Sequence, residues 1–412
     1  MRTRVAPEFG LVIIPGLIFL ATYVVLALGR PPLVRVDRTG AAIIGAVLMV
    51  AAGGLSLDQA YRAIDYRTIV LLFGMMVLVA HLRLSWFFAT AARAVVGSVR
   101  HPAALLVAVV AASGVLSAMF VNDTICLVFT PVLIDMAAVR RHNPVPYLLA
   151  LATASNIGSV ATITGNPQNM LIGSVSGISY RAFAGALTPV AIVGLAIDAA
   201  VIWWVFRRDL HAGPFTQEAQ RPRRVHRAMM IKALCVAALV MGGFLAGLDT
   251  AMVAAGGAAV LLVTRRVKPD KVYSRIDWGL LVLFVGLFVV VGGVAAAGID
   301  REFFALLRPV GIESVWGLSV VAALLSNLTS NVPAVMLFTR LIPQLPDPKT
   351  SWITLAMAST LAGNLTVLGS IANLIVVEGA RGRGVTISFV EYLKVGVPVT
   401  LLTIGFGIWW LS

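Results

Sequence analysis

Long apolar runs separated by short polar loops recur along the whole chain, and their lengths decide the class of protein. One helix needs about 17–25 predominantly apolar residues to cross a bilayer. On that measure helices are expected near 11–29, 40–56 and 68–82, followed by an amphipathic stretch at 83–100 that suits the membrane surface. Residues 102–138 are long enough for two spans, but polar residues interrupt their middle. They are expected to form a re-entrant hairpin whose tip ends inside the membrane. A broken helix over 146–176 and a helix over 185–206 follow, then a polar linker at 207–228. The plan then recurs. Scaffold helices lie within 229–298, a surface stretch at 300–308, a hairpin at 312–343, a broken helix at 351–380 and a last helix at 393–411. The fold class expected is an all-α polytopic membrane protein, an inverted repeat with five transmembrane helices and one re-entrant hairpin in each half, about ten spans and two hairpins. The repeats occupy 1–206 and 229–412.

The repeat is visible residue by residue. DQAYRAID at 58–65 matches DKVYSRID at 270–277, and ISYRAF at 178–183 matches ISFVEY at 387–392. Ser117, Asn122 and Thr130 fall on Ser326, Asn331 and Thr339, and Pro189 on Pro398. In the broken helices Ala154, Ser155, Thr162, Gly165 and Asn169 fall on Ala358, Ser359, Thr366, Gly369 and Asn373. Apolar sequences resemble one another by chance, but matched Asp, Tyr, Asn and Pro in constant order do not arise that way. Five crossings per half is an odd number, so the second half is inverted relative to the first. One face then gathers 23 of the 32 Lys and Arg residues. Positive loops stay inside, so both termini are expected outside and the loop at 207–228 in the cytoplasm of a plasma (inner) membrane protein.

Composition agrees and excludes other classes. Hydrophobic residues are 59% of the chain and charged residues 12%, which no soluble domain of 412 residues shows. The net charge of +14 sits in short loops between spans and is no nucleic-acid footprint. The two cysteines, Cys126 and Cys235, lie in apolar runs and form no metal-ligand or disulfide pattern. No zinc-protease, phosphate-loop or nucleophile motif is present, so an enzyme is not expected.

The candidate chemistry lies where the apolar pattern breaks. In SAMFVNDTICLVFTP (117–131) Asn122, Asp123 and Thr124 sit together at membrane depth, and LSNLTSNVPAVMLFTRLIP (325–343) carries Ser330 and Asn331 at the matching place. An ionisable side chain there is expensive unless it faces a cavity or a partner. Non-helical backbone at membrane depth survives only against protein or water. The breaks at 155–169 and 363–373 therefore mark a cavity lined by helix ends, suited to small anions at N-termini and to cations at C-termini. Substrate-binding candidates are Asn122, Thr124, Thr162, Thr164, Gly165, Asn166, Ser330, Asn331, Asn364, Thr366, Gly369 and Ser370. Coupling-ion candidates are Asn122, Asp123, Ser155, Asn169, Asn331 and Asn373. The alternative for Asp123 is a cap on the second arm of its hairpin, a role compatible with cation or proton binding, and Asp198 has no polar neighbour in sequence.

These stretches resemble the ion transporter superfamily, which includes divalent anion/sodium symporters, citrate carriers, arsenite permeases and sodium/proton antiporters. LSAMFVNDTICLVFTP and SNLTSNVPAVML resemble its two hairpins, SNIGSVATITGNPQN and GNLTVLGSIANLIV its two helix breaks. The resemblance implies an elevator-type transporter, often a homodimer, with Na+ as a candidate coupling ion and no other cofactor. Dicarboxylate symporters carry Ser-Asn-Thr at both tips. Here the tips read Val121-Asn122-Asp123 and Ser330-Asn331-Val332, closer to the arsenite permeases and their anion-permease relatives. The function expected is secondary active transport of a small anion, a dicarboxylate, citrate-like anion or inorganic oxyanion, coupled to Na+ or H+. Arsenite or antimonite efflux and Na+/H+ antiport are the alternatives.

Overall fold

The computed structural model describes residues 6–29, 35–211, 226–264 and 267–412. Every regular element among them is helical. The first half runs α1 (Ala6–Leu28), α2 (Arg38–Ala51), α3 (Leu57–Ala63), α4 (Tyr66–Leu84), α5 (Phe87–Ser98), α6 (Pro102–Met119), α7 (Asn122–Arg140), α8 (Val145–Val160), α9 (Pro167–Ser176), α10 (Tyr180–Val205) and α11 (Arg207–Leu210). The second runs α12 (Arg227–Leu245), α13 (Thr250–Leu262), α14 (Pro269–Tyr273), α15 (Trp278–Ala296), α16 (Ile299–Leu307), α17 (Val315–Thr329), α18 (Asn331–Phe338), α19 (Pro348–Ala362), α20 (Ile371–Arg381) and α21 (Phe389–Leu411). Seven of these helices are long and apolar enough to cross a membrane. The chain is an all-α, multi-pass membrane protein. Most of the expected linker, residues 212–225, lies outside the described residues.

The matched motifs have structural causes. Asp65 and Asp277, which close the DQAYRAID and DKVYSRID repeats, are the N-caps of α4 and α15 and accept from Thr68 N and Leu280 N. A carboxylate there satisfies an orphan backbone donor and the positive end of the helix dipole. The expected second helix stops early. Gly53 turns the chain at φ 76° after Ala51, and α3 restarts with a Ser56–Gln59 capping box.

The scaffold is built by exchange between halves: α2 packs on α15 and α4 on α13. The crossing points are small residues. A Cβ on Gly74 would lie 2.7 Å from the Ala254 backbone, and one on Gly286 2.7 Å from the Ala42 backbone. Gly74 and Ala42 lie 212 positions before Gly286 and Ala254, so one contact is the other's repeat. Close backbone approach of this kind is how helices gain dispersion energy in lipid. In the remaining helices α6 packs on α8 and, correspondingly, α17 on α19, while α10 lies against α21. Gly158 comes so close to Gly114 that no side chain fits between them.

Candidate functional site

Both long helices expected to break do so, at the same residues of the repeat. Helix α8 ends at Val160, a 3-10 turn spans Ile163–Gly165 and α9 starts at Pro167. Helix α19 ends at Ala362, a 3-10 turn spans Val367–Gly369 and α20 starts at Ile371, 204 positions on in each case for the turn and the restart. The two breaks are held open in the same way. Asn169 donates to the carbonyls of Ser159 and Thr162, both at 3.0 Å. Asn373 donates to Gly363 O at 2.7 Å and Thr366 O at 3.1 Å. Each amide thus satisfies carbonyls that the broken helix has orphaned. This is the physical reason an Asn recurs at both positions.

The two breaks clasp each other through side chains. Asn156, in the last turns of α8, accepts from Ser370 Oγ at 3.0 Å and donates to Asn373 Oδ1 at 3.1 Å and Asn364 Oδ1 at 2.8 Å. Thr360, the residue of α19 matched to Asn156, contacts the opposite break: Asn166 at 3.3 Å, Gln168 at 3.1 Å and Asn169 at 3.4 Å. Asn364 also donates to Thr153 O at 3.2 Å. The result is a crossed clamp of amides and hydroxyls, buried, with one reaching residue from each half.

The hairpin tips approach this clamp. Asn122 donates to Asn156 Oδ1 at 2.9 Å. Asn331 reaches the second break, where its amide nitrogen would stand 3.4 Å from a Cβ on Gly363, and its Oδ1 is buried with no protein partner. Ser330 holds φ 79°, ψ 157°, a region suited to glycine, so the tip is strained. Asp123 is the second residue of α7, whose N-cap is Val121; its side chain caps nothing and stays partly accessible. Among the described residues no Lys or Arg donates into the clamp.

The structure therefore brings Asn122, Asn166, Asn169, Asn364, Ser370 and Asn373 into one network, with Asp123, Thr124, Ser330 and Asn331 at its hairpin edges. Gly165 and Gly369 allow close approach: a Cβ on Gly369 would stand 2.8 Å from Asn327 Oδ1, and one on Gly165 would overlap Ser159. Thr366 contributes its carbonyl. Thr162 and Thr164 face elsewhere. Thr162 donates to Ala118 O in the hairpin arm, and Thr164 bonds the Tyr180 hydroxyl at 2.8 Å. Ser155 bonds Ala152 O at 2.9 Å and Cys126 Sγ at 3.1 Å. Asn156, Thr360 and Gln168 are members of the clamp that sequence matching passed over. Asn156 aligns with Thr360, so identity between halves gives no signal there. Asn156 and Thr360 share one signal, a polar residue inside an apolar helix end, whereas Gln168 stands within the polar break itself.

A family model described as "Citrate transporter" (CitMHS) matches residues 23–362. The chain is similar to the "Silicon efflux transporter LSI3" of Oryza sativa subsp. japonica, at 30% identity over 92% of this chain and 93% of that protein. It is similar to the "Putative transporter arsB" of Dictyostelium discoideum, at 25% identity over 99% of this chain and 92% of that one. The "46 kDa membrane protein" of Mycobacterium leprae is 29% identical over 94% and 95% of the two chains. Among solved structures, the YdaH transporter of Alcanivorax borkumensis shares the fold, with a TM-score of 0.57 over 98% of this chain and 97% of that one at 16% identity.

Proposed function

We propose, for a chain that belongs to the citrate transporter family and is a membrane transporter rather than an enzyme, that its cargo is a small oxyacid carried in its hydroxylated form and exchanged against protons. The observation that carries this reading is the clamp itself. It presents amides and hydroxyls from both halves and no positive side chain among the described residues. A dicarboxylate would bring two negative charges into this site, which is expensive without Arg, Lys or several cations. An undissociated oxyacid, such as arsenous or silicic acid, offers only hydroxyls. Amides and hydroxyls can both donate to and accept from them. The unpartnered Asn331 Oδ1 is a ready acceptor for such a hydroxyl. The name of one relative, a silicon efflux transporter, supports the same substrate class.

Movement by an elevator fits the packing. The exchanged scaffold of α2, α4, α13 and α15 is locked by backbone contact at Gly74 and Gly286. Among the described residues, polar ties from this scaffold and the adjoining α1 to the clamp-bearing helices are sparse: Tyr23 of α1 donates to Pro333 O at 3.0 Å, and Ser174 donates to Asp65 at 3.1 Å. Greasy surfaces with few hydrogen bonds can slide past one another.

The test is a thermal-shift screen of the purified protein, crossing arsenite, silicic acid, sulfate, succinate and citrate against sodium, potassium and pH. A ligand of the folded state raises stability by about 2.7 kcal/mol at a hundredfold excess over Kd. Stabilisation by arsenite or silicic acid, lost in Asn122→Ala, is the expected result. Stabilisation by citrate or succinate only when sodium is present would replace this reading with sodium-coupled carboxylate symport. Asp123→Asn should fold and lose coupled flux; unchanged flux would remove Asp123 from the mechanism.

A further inference from the structure

The clamp recurs in both halves, but one buried carboxyl does not. Asp198 lies in the middle of α10, fully buried, and neither of its oxygens has a hydrogen-bond partner. Matching Pro189 to Pro398 places Gly407 of α21 at the corresponding position of the second half. The packing neighbours correspond as well. Gly407 sits against Met357 of α19, whose sulfur would stand 2.6 Å from a Cβ there. Thr153, the α8 residue matched to Met357, is the side chain beside Asp198. One position in the fold is thus filled by Gly and Met in one half and by Asp and Thr in the other. Packing alone is met by the apolar pair, so the polar pair calls for a different cause.

An ionised carboxylate without partners inside a membrane protein is costly, and such groups persist where they bind a cation or relay protons. The surroundings offer no permanent counter-charge. Helix α21 runs antiparallel to α10, since Trp410 donates to Ala186 O and Gly194 meets Thr403. That register sets Asp198 opposite Val399 and Thr400, whose hydroxyl is also buried and unpartnered. The titratable group within electrostatic reach is Tyr392, from α21, beside Asn373. Helix α8 brings Thr153, and its Tyr147 phenol is occupied by Pro102 O at 3.3 Å. Helix α6 has no titratable residue, the charged residues of α11, α12, α19 and α21 stand near helix ends, and α12 adds the exposed thiol of Cys235.

We propose that Asp198 is a proton-binding site of the moving helices, distinct from the hairpin tip, whose protonation state is felt by the clamp. The proposal rests on the transport reading above. Protonation of one carboxylate oxygen creates an O–H that can donate to Thr153 Oγ1, whose own hydrogen goes to Leu149 O at 2.8 Å. Release returns that proton to water and leaves a carboxylate. The link to the clamp runs through Thr153, whose carbonyl holds Asn364 at 3.2 Å. The buried Tyr392 hydroxyl, within electrostatic reach of Asp198, has no hydrogen-bond partner of its own.

The experiment is infrared difference spectroscopy of the purified, membrane-reconstituted protein, titrated from about pH 5 to about pH 9. The variants are Asp198→Asn and the pair Asp198→Gly with Thr153→Met, which installs the other half's own packing should the single variant fold poorly. The expected result is a carboxylic-acid carbonyl band that disappears as pH rises and is missing from both variants. In proteoliposomes carrying a pH dye, an arsenite gradient should drive proton movement in the native protein and none in the variants. A band of unchanged size in the variants would overturn the proposal. So would a band that persists across the whole titration, or one abolished by sodium at fixed pH. The infrared result needs no substrate, so absence of arsenite flux would count against the transport reading alone.

Discussion

Asn156 is the side chain on which the clamp turns, and its removal gives a quantitative test. Its amide makes four hydrogen bonds, to Asn122, Ser370, Asn364 and Asn373, between 2.8 and 3.1 Å. Side-chain hydrogen bonds within membrane proteins average about 0.6 kcal/mol and reach about 1.7 kcal/mol. Four of them, in a site too buried for water to replace every partner, put the loss in Asn156→Ala at about 2–3 kcal/mol. Thr360 occupies the matching place with contacts of 3.1, 3.3 and 3.4 Å, of which only the first falls within the usual hydrogen-bond range. Thr360→Val should therefore cost about 1 kcal/mol or less. Unfolding of each variant in mixed detergent–SDS micelles reads these differences directly, and flux per folded molecule can be measured alongside. Asn156→Ala should abolish flux, because Asn122, Asn364 and Asn373 lose their common anchor, whereas Thr360→Val should retain part of it. Equal destabilisation of the two variants would refute the assignment of Asn156 as the anchor. So would Asn156→Ala with less than about 0.5 kcal/mol of loss and normal flux.

Other sites give sharper local tests. Replacing Gly74 or Gly286 by Leu should collapse the yield of folded protein, since even a Cβ would lie 2.7 Å from the facing backbone; monodispersity on size exclusion reads this, and overpacking of this kind costs about 1–3 kcal/mol or more. Ser330→Gly should stabilise the protein by about 1 kcal/mol by relieving φ 79°, measured as a rise in Tm, and should weaken arsenite stabilisation if the hydroxyl touches cargo. Asp249, in the loop before α13, accepts from Met252 N at 2.9 Å and from Arg67, and these bonds hold its carboxyl below the usual carboxylate range. Its contribution is present above the pKa of the unfolded chain and is lost as pH falls through the lower folded value. Asp249→Ala should cost about 1 kcal/mol at neutral pH and flatten the acid limb of a stability–pH profile.

How much of this was legible beforehand depends on the kind of signal. The positions of the breaks were, because a lipid-facing helix cannot contain Gly, Pro and several amides in one stretch. Asn169 and Asn373 could be paired because both bridge the same orphaned carbonyls, a local duty that the repeat copies. Thr162 and Thr164 illustrate the opposite case. Their place in the break suggested cargo contact, yet they face Ala118 and Tyr180, since which way a loop hydroxyl turns depends on what packs behind it. The expected helix over 40–56 overran a real end at Ala51, because Gly54 and Leu55 are apolar enough to extend the run but Gly53 turns it.

The sequence by itself determined the membrane class, the repeat, the helix breaks and the hairpins, because each follows from hydropathy or backbone chemistry over a few consecutive residues. Only the tertiary structure decided that Asn156 and Thr360 cross over to hold each other's broken helix, and that Asp198 stands beside Thr153 where the other half has Gly407 and Met357. Those facts join residues tens to hundreds of positions apart. No local pattern encodes them, because the pairing is fixed by how the inverted halves interlock and by the need of every buried polar group for a partner.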